Sequence, residues 1–313
     1  MGVAHQYCGV LGKTANGQVV VTTRYVDPYH AWPVNGQLYL PEGWCQDAQR
    51  RRRAAIPADL KFETKVTLAL HLIDAAKEAG VPFHLVSSDS GYGDNPTFLD
   101  GLEARRLAYV VGVASDFGVR LPEEVRAAAQ QPLPPKKKMG RPRQHPHPAQ
   151  QAPLRRADDV IAAQAEAAWQ SITWRLGSDG PLTKQFVALR VYRAVGETTG
   201  REGWLVGERP LPGHAGERKY YWSDLPATTP LARLAELAHR RPSVERGYQD
   251  GKGHTGLDAY AARKWESFHR HLAIELLVLS WLALQAPPPD QPVIVLAPQP
   301  VASPDEPVFP LWT

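Results

Sequence analysis

Proline is spread unevenly along these 313 residues, and its placement decides where regular structure can form. Of 29 prolines, seven fall in 130–153 and nine in 286–313. Proline lacks a backbone donor and fixes φ, so neither stretch can sustain regular helix or sheet. The first reads as a basic, Pro-rich linker over 130–156. The second, PPPDQPVIVLAPQPVASPDEPVFPLWT, reads as a disordered or loosely docked tail over 286–313. Folded structure is therefore expected in 1–129 and 157–285, and 43% apolar residues suffice for a sizeable core there.

Charge follows the same division. The net +4 looks ordinary, but 130–156 carries Lys136, Lys137, Lys138, Arg141, Arg143, Arg155 and Arg156 and no acid, which leaves the other 286 residues at −3. Positive charge gathered into one segment is the pattern of proteins that touch phosphate backbones. The longest apolar stretch, Leu272 to Ala286, is shorter than the ~20 residues of a membrane span and contains Glu275, so no transmembrane helix is expected. The first residues, MGVAHQYCGV, lack a basic start and an apolar h-region, which argues against a signal peptide. Two cysteines, Cys8 and Cys45, without a CxxC exclude a disulfide scaffold and a cysteine zinc site and suit a reducing cytoplasm.

Periodicity predicts strands over 17–26 and 37–40, a helix over 65–79 capped by Thr64 and stopped by Gly80, and a strand over 83–88 ending at Asp89. Asn95 and Pro96 open a helix to about Arg106, and 107–114 is again a strand. A short helix follows near 158–168, then strand-like pieces at 171–176, 186–194, 204–207 and 219–223, with a hairpin turn at 177–180. Helices close the folded part, one opened by Thr229 and Pro230 and one over 262–285. The order predicts a mixed α/β fold. Its parts are a core over 1–129, the linker, a mainly β insertion over 157–226, a helical end over 227–285, and the tail. Tryptophans, among them Trp222, Trp174 and Trp281, read as core by default.

Three constellations can carry chemistry. In SSDSGYGDN (87–95) an apolar strand delivers Asp89 to its C-terminal end, where open α/β sheets bind ligands, and Gly91 and Gly93 allow the backbone to turn tightly beside it. The alternative is a polar turn in which Asp89 caps the next segment. In RRPSVERGYQDGKGHTGLDAY (240–260), Arg241, Glu245, Tyr248 and Lys252 share one helical stripe, unless the glycines end the helix by about 250 and leave Lys252 in a loop. In KKKMGRPR (136–143), Gly-Arg-Pro flanked by Lys136, Lys137, Lys138, Arg141 and Arg143 is similar to an AT-hook core and offers up to about five phosphate contacts; the alternative is a solubilising linker. His269 and His271, two residues apart on a helix, point to packing or ion pairs rather than joint metal ligation.

Seven ordered segments together resemble one family. VAHQYCGVLGK (3–13), LYLPEGW (38–44), the Arg-rich run with Ile-Pro after it (50–57), Thr-Lys at 64–65, SSDSGYGD (87–94), YYWSDLP (220–226) and RRPSVERGYQDGKGHTGLDAY resemble the catalytic region of bacterial insertion-sequence transposases of the DDE class, in the group with a Tyr–Arg–Glu–Lys signature. The resemblance implies an RNase H-like mixed sheet with flanking helices and an antiparallel β insertion before the glutamate-bearing helix. It implies three carboxylates holding two Mg²⁺, with Asp89 matching the second aspartate and Glu245 the glutamate. Arg241 and Lys252 match basic residues that contact DNA. Tyr248, on the same stripe, joins them as a candidate.

The signature's tyrosine position is Ala238 here, and the family's first aspartate lies on a strand just upstream of the VAHQYCG-like segment, whereas this chain starts at Met1. On that ground the expectation is an N-terminally truncated catalytic region, less stable and with little nuclease activity of its own. The implied partners are double-stranded DNA at element ends and full-length transposase subunits, with no membrane, in a bacterial cytoplasm at the nucleoid. The competing expectation is a non-catalytic DNA-binding or regulatory fragment.

Overall fold

The computed structural model describes residues 1–8, 13–27, 31–132, 150–177, 180–240, 249, 251–256 and 263–285. The chain forms two compact units, one from Met1–Phe83 together with the chain from Pro242 onward, the other from His84–Arg241.

The first unit begins with two antiparallel hairpins. β1 (Ala4–Cys8) pairs with β2 (Lys13–Gly17), and β3 (Val20–Val26) pairs with β4 (Ala31–Leu38). The expected strand over 17–26 is thus divided between β2 and β3, and the short one at 37–40 is the end of a longer strand. Two short helices follow, α1 (Glu42–Gln46) and α2 (Ala48–Ala54), neither of them marked by the periodicity. Asp47 caps α2 by accepting from the Gln49 and Arg50 amides at 3.0 and 2.9 Å. α3 (Lys65–Glu78) begins where Thr64 Oγ1 accepts from the Thr67 amide at 3.1 Å, and the chain leaves it through Gly80 at φ +77°.

The second unit holds the sheet. β5 (Leu85–Ser88) leads through a single helical turn, α4 (Ser90–Gly93), into α5 (Pro96–Ala104), capped by Asn95. β6 (Ala108–Val113), β7 (Gly118–Arg120), α6 (Pro122–Ala129), β8 (Arg155–Arg156) and α7 (Ala157–Ala162) come next. Four antiparallel strands follow, β9 (Gln170–Gly177), β10 (Gly180–Val195), β11 (Thr198–Arg209) and β12 (Lys219–Ser223), then α8 (Leu231–Ala238). The described strands join in the order β5-β6-β12-β11-β10-β7-β8, with β9 paired to part of β10. Only β5 and β6 run parallel, so the sheet is mixed. The strands over 170–223 continue this sheet, because β12 pairs directly with β6. β10 is the longest strand. It carries β11 along one side, while β9 and β7 divide its other side.

Side-chain alternation covers both faces. Val110, Phe186, Val206 and Tyr221 pack with Leu234, Ala235, Leu237 and Ala238 of α8. On the opposite face Val111 meets α4, and Ile161 of α7 sits over Gly207, where an added Cβ would come within 2.5 Å of it. Arg155 and Arg156, expected in a free basic linker, instead form β8. Arg155 pairs with Glu124 and Arg156 with Asp158 at 2.8 Å, which neutralises two of that segment's seven cations.

In the first unit a π-helical turn spans Gly251–Thr255, and α9 (Trp265–Gln285) packs Phe268 and Leu272 on Val20 and Leu38 of the β3–β4 hairpin. Trp281 lies about 180° around α9 from Leu272 and is 59% exposed, which corrects its expected place in the core. Trp222 and Trp169 are buried. No helix of the described residues is long and apolar enough to cross a membrane.

Candidate active site

The position of Asp89 follows from the parallel pair. β5 and β6 end side by side, with Ser88 opposite Val111, and Asp89 is the first residue past the end of β5. The chain turns there at once. Gly93 and Tyr92 amides donate to the Asp89 carbonyl at 2.8 and 3.2 Å, and the Asp94 amide donates to the Ser90 carbonyl at 3.0 Å. The Asp89 side chain makes no capping hydrogen bond to this turn, so the simple capping alternative does not describe it.

The glycines act through space rather than through φ. A Cβ on Gly93 would lie 2.0 Å from the Gly112 carbonyl oxygen, so only glycine lets α4 rest on β6. A Cβ on Gly91 would lie 3.1 Å from Asp89 Oδ1, so its absence leaves room at the carboxylate.

Two further carboxylates belong to this corner, Asp94 beside Asp89 and Asp116 beside Asp94. Asp94 accepts from the Ala114 amide at 2.9 and 3.2 Å, which ties the α4–α5 corner to the end of β6. Burial pushes the Asp94 carboxyl up, and the charges of Asp116 and Asp89 push it the same way. A cleft of about 260 Å³ opens beside them, lined by Asp94, Pro96, Leu99, Asp116, Phe117 and Arg193 among others. Arg193 is buried and forms an ion pair with Asp100; Glu103 lies 3.8 Å away. The region around Asp89 is thus rich in carboxylate oxygen, the donor type that hard divalent cations take. Among the described residues no group of three His, Cys, Asp or Glu side chains is arranged to hold a metal ion.

The profile of the DDE superfamily endonucleases matches residues 1–181, more than half of the chain and including Asp89 with its turn. The chain belongs to this family. It is also similar to a protein of Microchaete diplosiphon named "Probable transposase for insertion sequence element IS701", with 33% identity over 120 residues, 38% of this chain. The matched part is 29% of that relative's length.

Of the other residues singled out in this DDE-family chain, Arg241, Glu245 and Tyr248 lie outside the described residues, as do Lys136, Lys137, Lys138, Arg141 and Arg143. Lys252 is described by its backbone alone, inside the π-helical turn, so a regular α-helical stripe does not run through 251–255. His269 and His271 behave as packing residues. His269 Nδ1 lies 2.9 Å from the Trp265 carbonyl oxygen with its ring tilted against that indole, and burial lowers its pKa. His271 Nδ1 is 4.0 Å from Glu275.

No pattern along the chain announces the buried charge cluster on the α8 side of the sheet. Glu208, fully buried on β11, pairs with Lys184 of β10, accepts from the Tyr221 hydroxyl at 2.7 Å and faces His239 Nε2 at 2.9 Å. His239 ends α8 and stacks on Trp174 with ring centroids 3.7 Å apart. Burial raises the Glu208 carboxyl, but His239, Lys184 and Tyr221 more than offset it and hold the pKa at about 2. A single polar residue in a strand pattern gives no sign of partners 13 to 31 positions away. The β10–β11–β12 register brings Lys184 and Tyr221 to Glu208, and the end of α8 adds His239.

Proposed function

We propose that this chain is the catalytic region of a DNA transposase with an RNase H-like core, acting on phosphodiester bonds by metal-dependent hydrolysis and strand transfer. The observation that carries the proposal is Asp89. It stands at the C-terminal end of a parallel strand, held by a turn that tolerates only glycine at 93, within the segment matched by the DDE endonuclease family. Asp89 and Glu245 are the carboxylates proposed to hold divalent metal. Their hard oxygen donors fit Mg²⁺, and the Asp89 and Asp116 charges, which add to burial in raising Asp94, favour a cation there. Divalent metal held by these carboxylates would supply an activated water and charge stabilisation on the attacking and leaving oxygens.

The chain's own residues then position and neutralise. Gly91 keeps space at the Asp89 carboxylate, and Gly93 fixes the turn that aims it. Arg241, Tyr248 and Lys252 are proposed as contacts to DNA near the reacting phosphate. Lys136, Lys137, Lys138, Arg141 and Arg143 are proposed to hold duplex DNA through its phosphates and minor groove. Double-stranded DNA at element ends is the proposed substrate, and other transposase subunits are the proposed protein partners. A bacterial cytoplasm, at the nucleoid when DNA is bound, is the proposed location.

The test is nicking of supercoiled plasmid by the purified chain in Mg²⁺. The expected result is at most weak relaxation by the chain on its own, which Asp89→Asn and Glu245→Gln each abolish while DNA binding persists. Nicking that survives both substitutions overturns the assignment. Binding with a steep salt dependence but no nicking would transfer the function to DNA binding or regulation without catalysis.

A further inference from the structure

Three of the segments that carry the family resemblance, LYLPEGW, the Arg-rich run and Thr-Lys at 64–65, have no part in the site built around Asp89. In the first unit they converge on one surface.

α2 is locked in orientation by its inward side. Ala54 and Ile56 are buried with Leu40, against Trp44 and Leu60. The Arg51 guanidinium turns inward as well and donates to the carbonyls of Cys45 at 3.2 Å, Ala58 at 3.0 Å and Leu60 at 3.0 Å, with a further bond to Pro57. Of the four consecutive arginines, Arg51 alone serves the fold. Arg50, Arg52 and Arg53 are exposed. Asp47 caps the helix and pairs with Arg50 at 3.3 Å. Arg52 and Arg53 have no ion pair among the described residues. Lys264 donates to the Arg53 carbonyl at 2.7 Å, which brings one more cation to the end of this helix.

Cations also lie over aromatic rings here. Arg50 stands 5.3 Å from the Trp44 ring centroid, and Lys65 stands 5.4 Å from that of Tyr39. Trp44 lies on α1 and Tyr39 two residues before its N-cap Pro41, so both ring pairs flank α1. The Tyr39 ring also meets Phe62 edge-on at 6.4 Å, and Phe62 is 39% exposed. Burial lowers the Lys65 pKa, and among the described residues no carboxylate acts on it to restore the charged form. Lys65 also sits at the first position of α3, where the helix dipole disfavours a cation. An anion brought from outside relieves both costs.

We propose that this surface, formed by Arg50, Arg52, Arg53, Lys65 and Lys264 around Trp44, is a second DNA-binding surface, which contacts the phosphate backbone of duplex DNA without reading sequence. Charge complementarity selects the occupant. Unpaired guanidinium groups and a desolvated ammonium match a polyanion, and aromatic rings under cations tolerate a sugar-phosphate edge. The proposal rests on DNA being the substrate class and adds DNA-contacting residues other than those in 136–143 and 241–252.

The test is fluorescence anisotropy of the full chain with a labelled duplex of arbitrary sequence, titrated at several salt concentrations. Each phosphate contact steepens the salt dependence by about one unit of slope, so Arg52→Gln with Arg53→Gln lowers the slope by about two. Arg52→Lys with Arg53→Lys restores it. Lys77→Gln, about 18 Å further along α3, leaves it unchanged. Circular dichroism checks that each variant is folded. If the unaltered chain binds DNA and the double glutamine variant keeps the same slope, this surface is not an interface, although DNA remains the substrate class. If the unaltered chain does not bind DNA at all, the transposase proposal falls, and this inference falls with it.

Discussion

The Gly112 carbonyl oxygen occupies the place where a side chain on Gly93 would begin, 2.0 Å from the missing Cβ. The turn after Asp89 therefore rests on β6 backbone to backbone, and the geometry of the candidate site depends on that contact.

Gly93→Ala forces α4 off β6. The expected cost is about 1–3 kcal/mol of stability, the range for overpacked sites with no room to relax. A lowered denaturant midpoint at unchanged m-value is the readout. Gly91→Ala, which meets only the Asp89 carboxylate, changes the midpoint little. An equal loss at both positions would contradict this division of labour.

The Glu208 cluster sets an acid limit on the second unit. Its carboxyl titrates at about 2 in the fold against an ordinary value of 4.5. A lowered acid stabilises the fold above its unfolded pKa, and that contribution is lost as pH falls from about 4.5 towards 2. Glu208→Leu leaves Lys184 and His239 without their counter-charge and is expected to cost about 3–5 kcal/mol. The variant's stability should also lose most of its dependence on pH over that window. Unfolding followed by tryptophan fluorescence from pH 2 to 7 measures both effects.

Asp94 behaves in the opposite sense. Its raised pKa means that its ionised form is penalised in the folded state above that pKa, and the penalty disappears below the unfolded value. Asp94→Asn keeps an oxygen for the Ala114 amide and removes a charge that Asp116 and Asp89 repel. Stability at pH 7 should be equal or higher, with the advantage shrinking as the solution is acidified. Thermal melts at pH 7 and pH 3 give the comparison, and a large loss at pH 7 would contradict the repulsion.

The basic segment can be read from its salt dependence. Replacing Lys136, Lys137, Lys138, Arg141 and Arg143 with glutamine should flatten the slope of DNA binding by up to about five units, with affinity falling across all sequences tested. A preference for A·T-rich duplex that vanishes with Arg141→Gln would add minor-groove contact to phosphate contact. An unchanged slope assigns 136–143 to solubility.

Local patterns were legible where the determinants were local. Thr64 and Gly80 bracket α3 within a residue of its observed ends, and Asn95-Pro96 opens α5 as its cap chemistry requires. The strand that carries Asp89 was visible from its apolar run and stop. What escaped was decided at a distance. Arg155 and Arg156 form a two-residue strand only because Gly118 and Val119 lie alongside, and two residues are too few to show a period. Glu208 looks like any outward polar residue until Lys184, Tyr221 and His239 close on it. Arg51 cannot be told from Arg50, Arg52 and Arg53 in a run of four, yet only it turns inward to a cage of carbonyls. For the candidate site, position 89 could be read from the sequence, but the reason for Gly93 could not, because its contact lies on a strand 19 residues later.

The long strand Gly180–Val195 serves three neighbours at once: Gln170–Gly177 along its first half, Gly118–Arg120 near its far end, and Thr198–Arg209 on the other side from Gln185 to Val195. Adding or deleting one amino acid between Gln185 and Tyr192 would throw its two halves out of step, and no compensating slip could satisfy all three partners. Variation in chain length should be barred from that interval and tolerated instead after Arg209, where residues 212–219 face solvent.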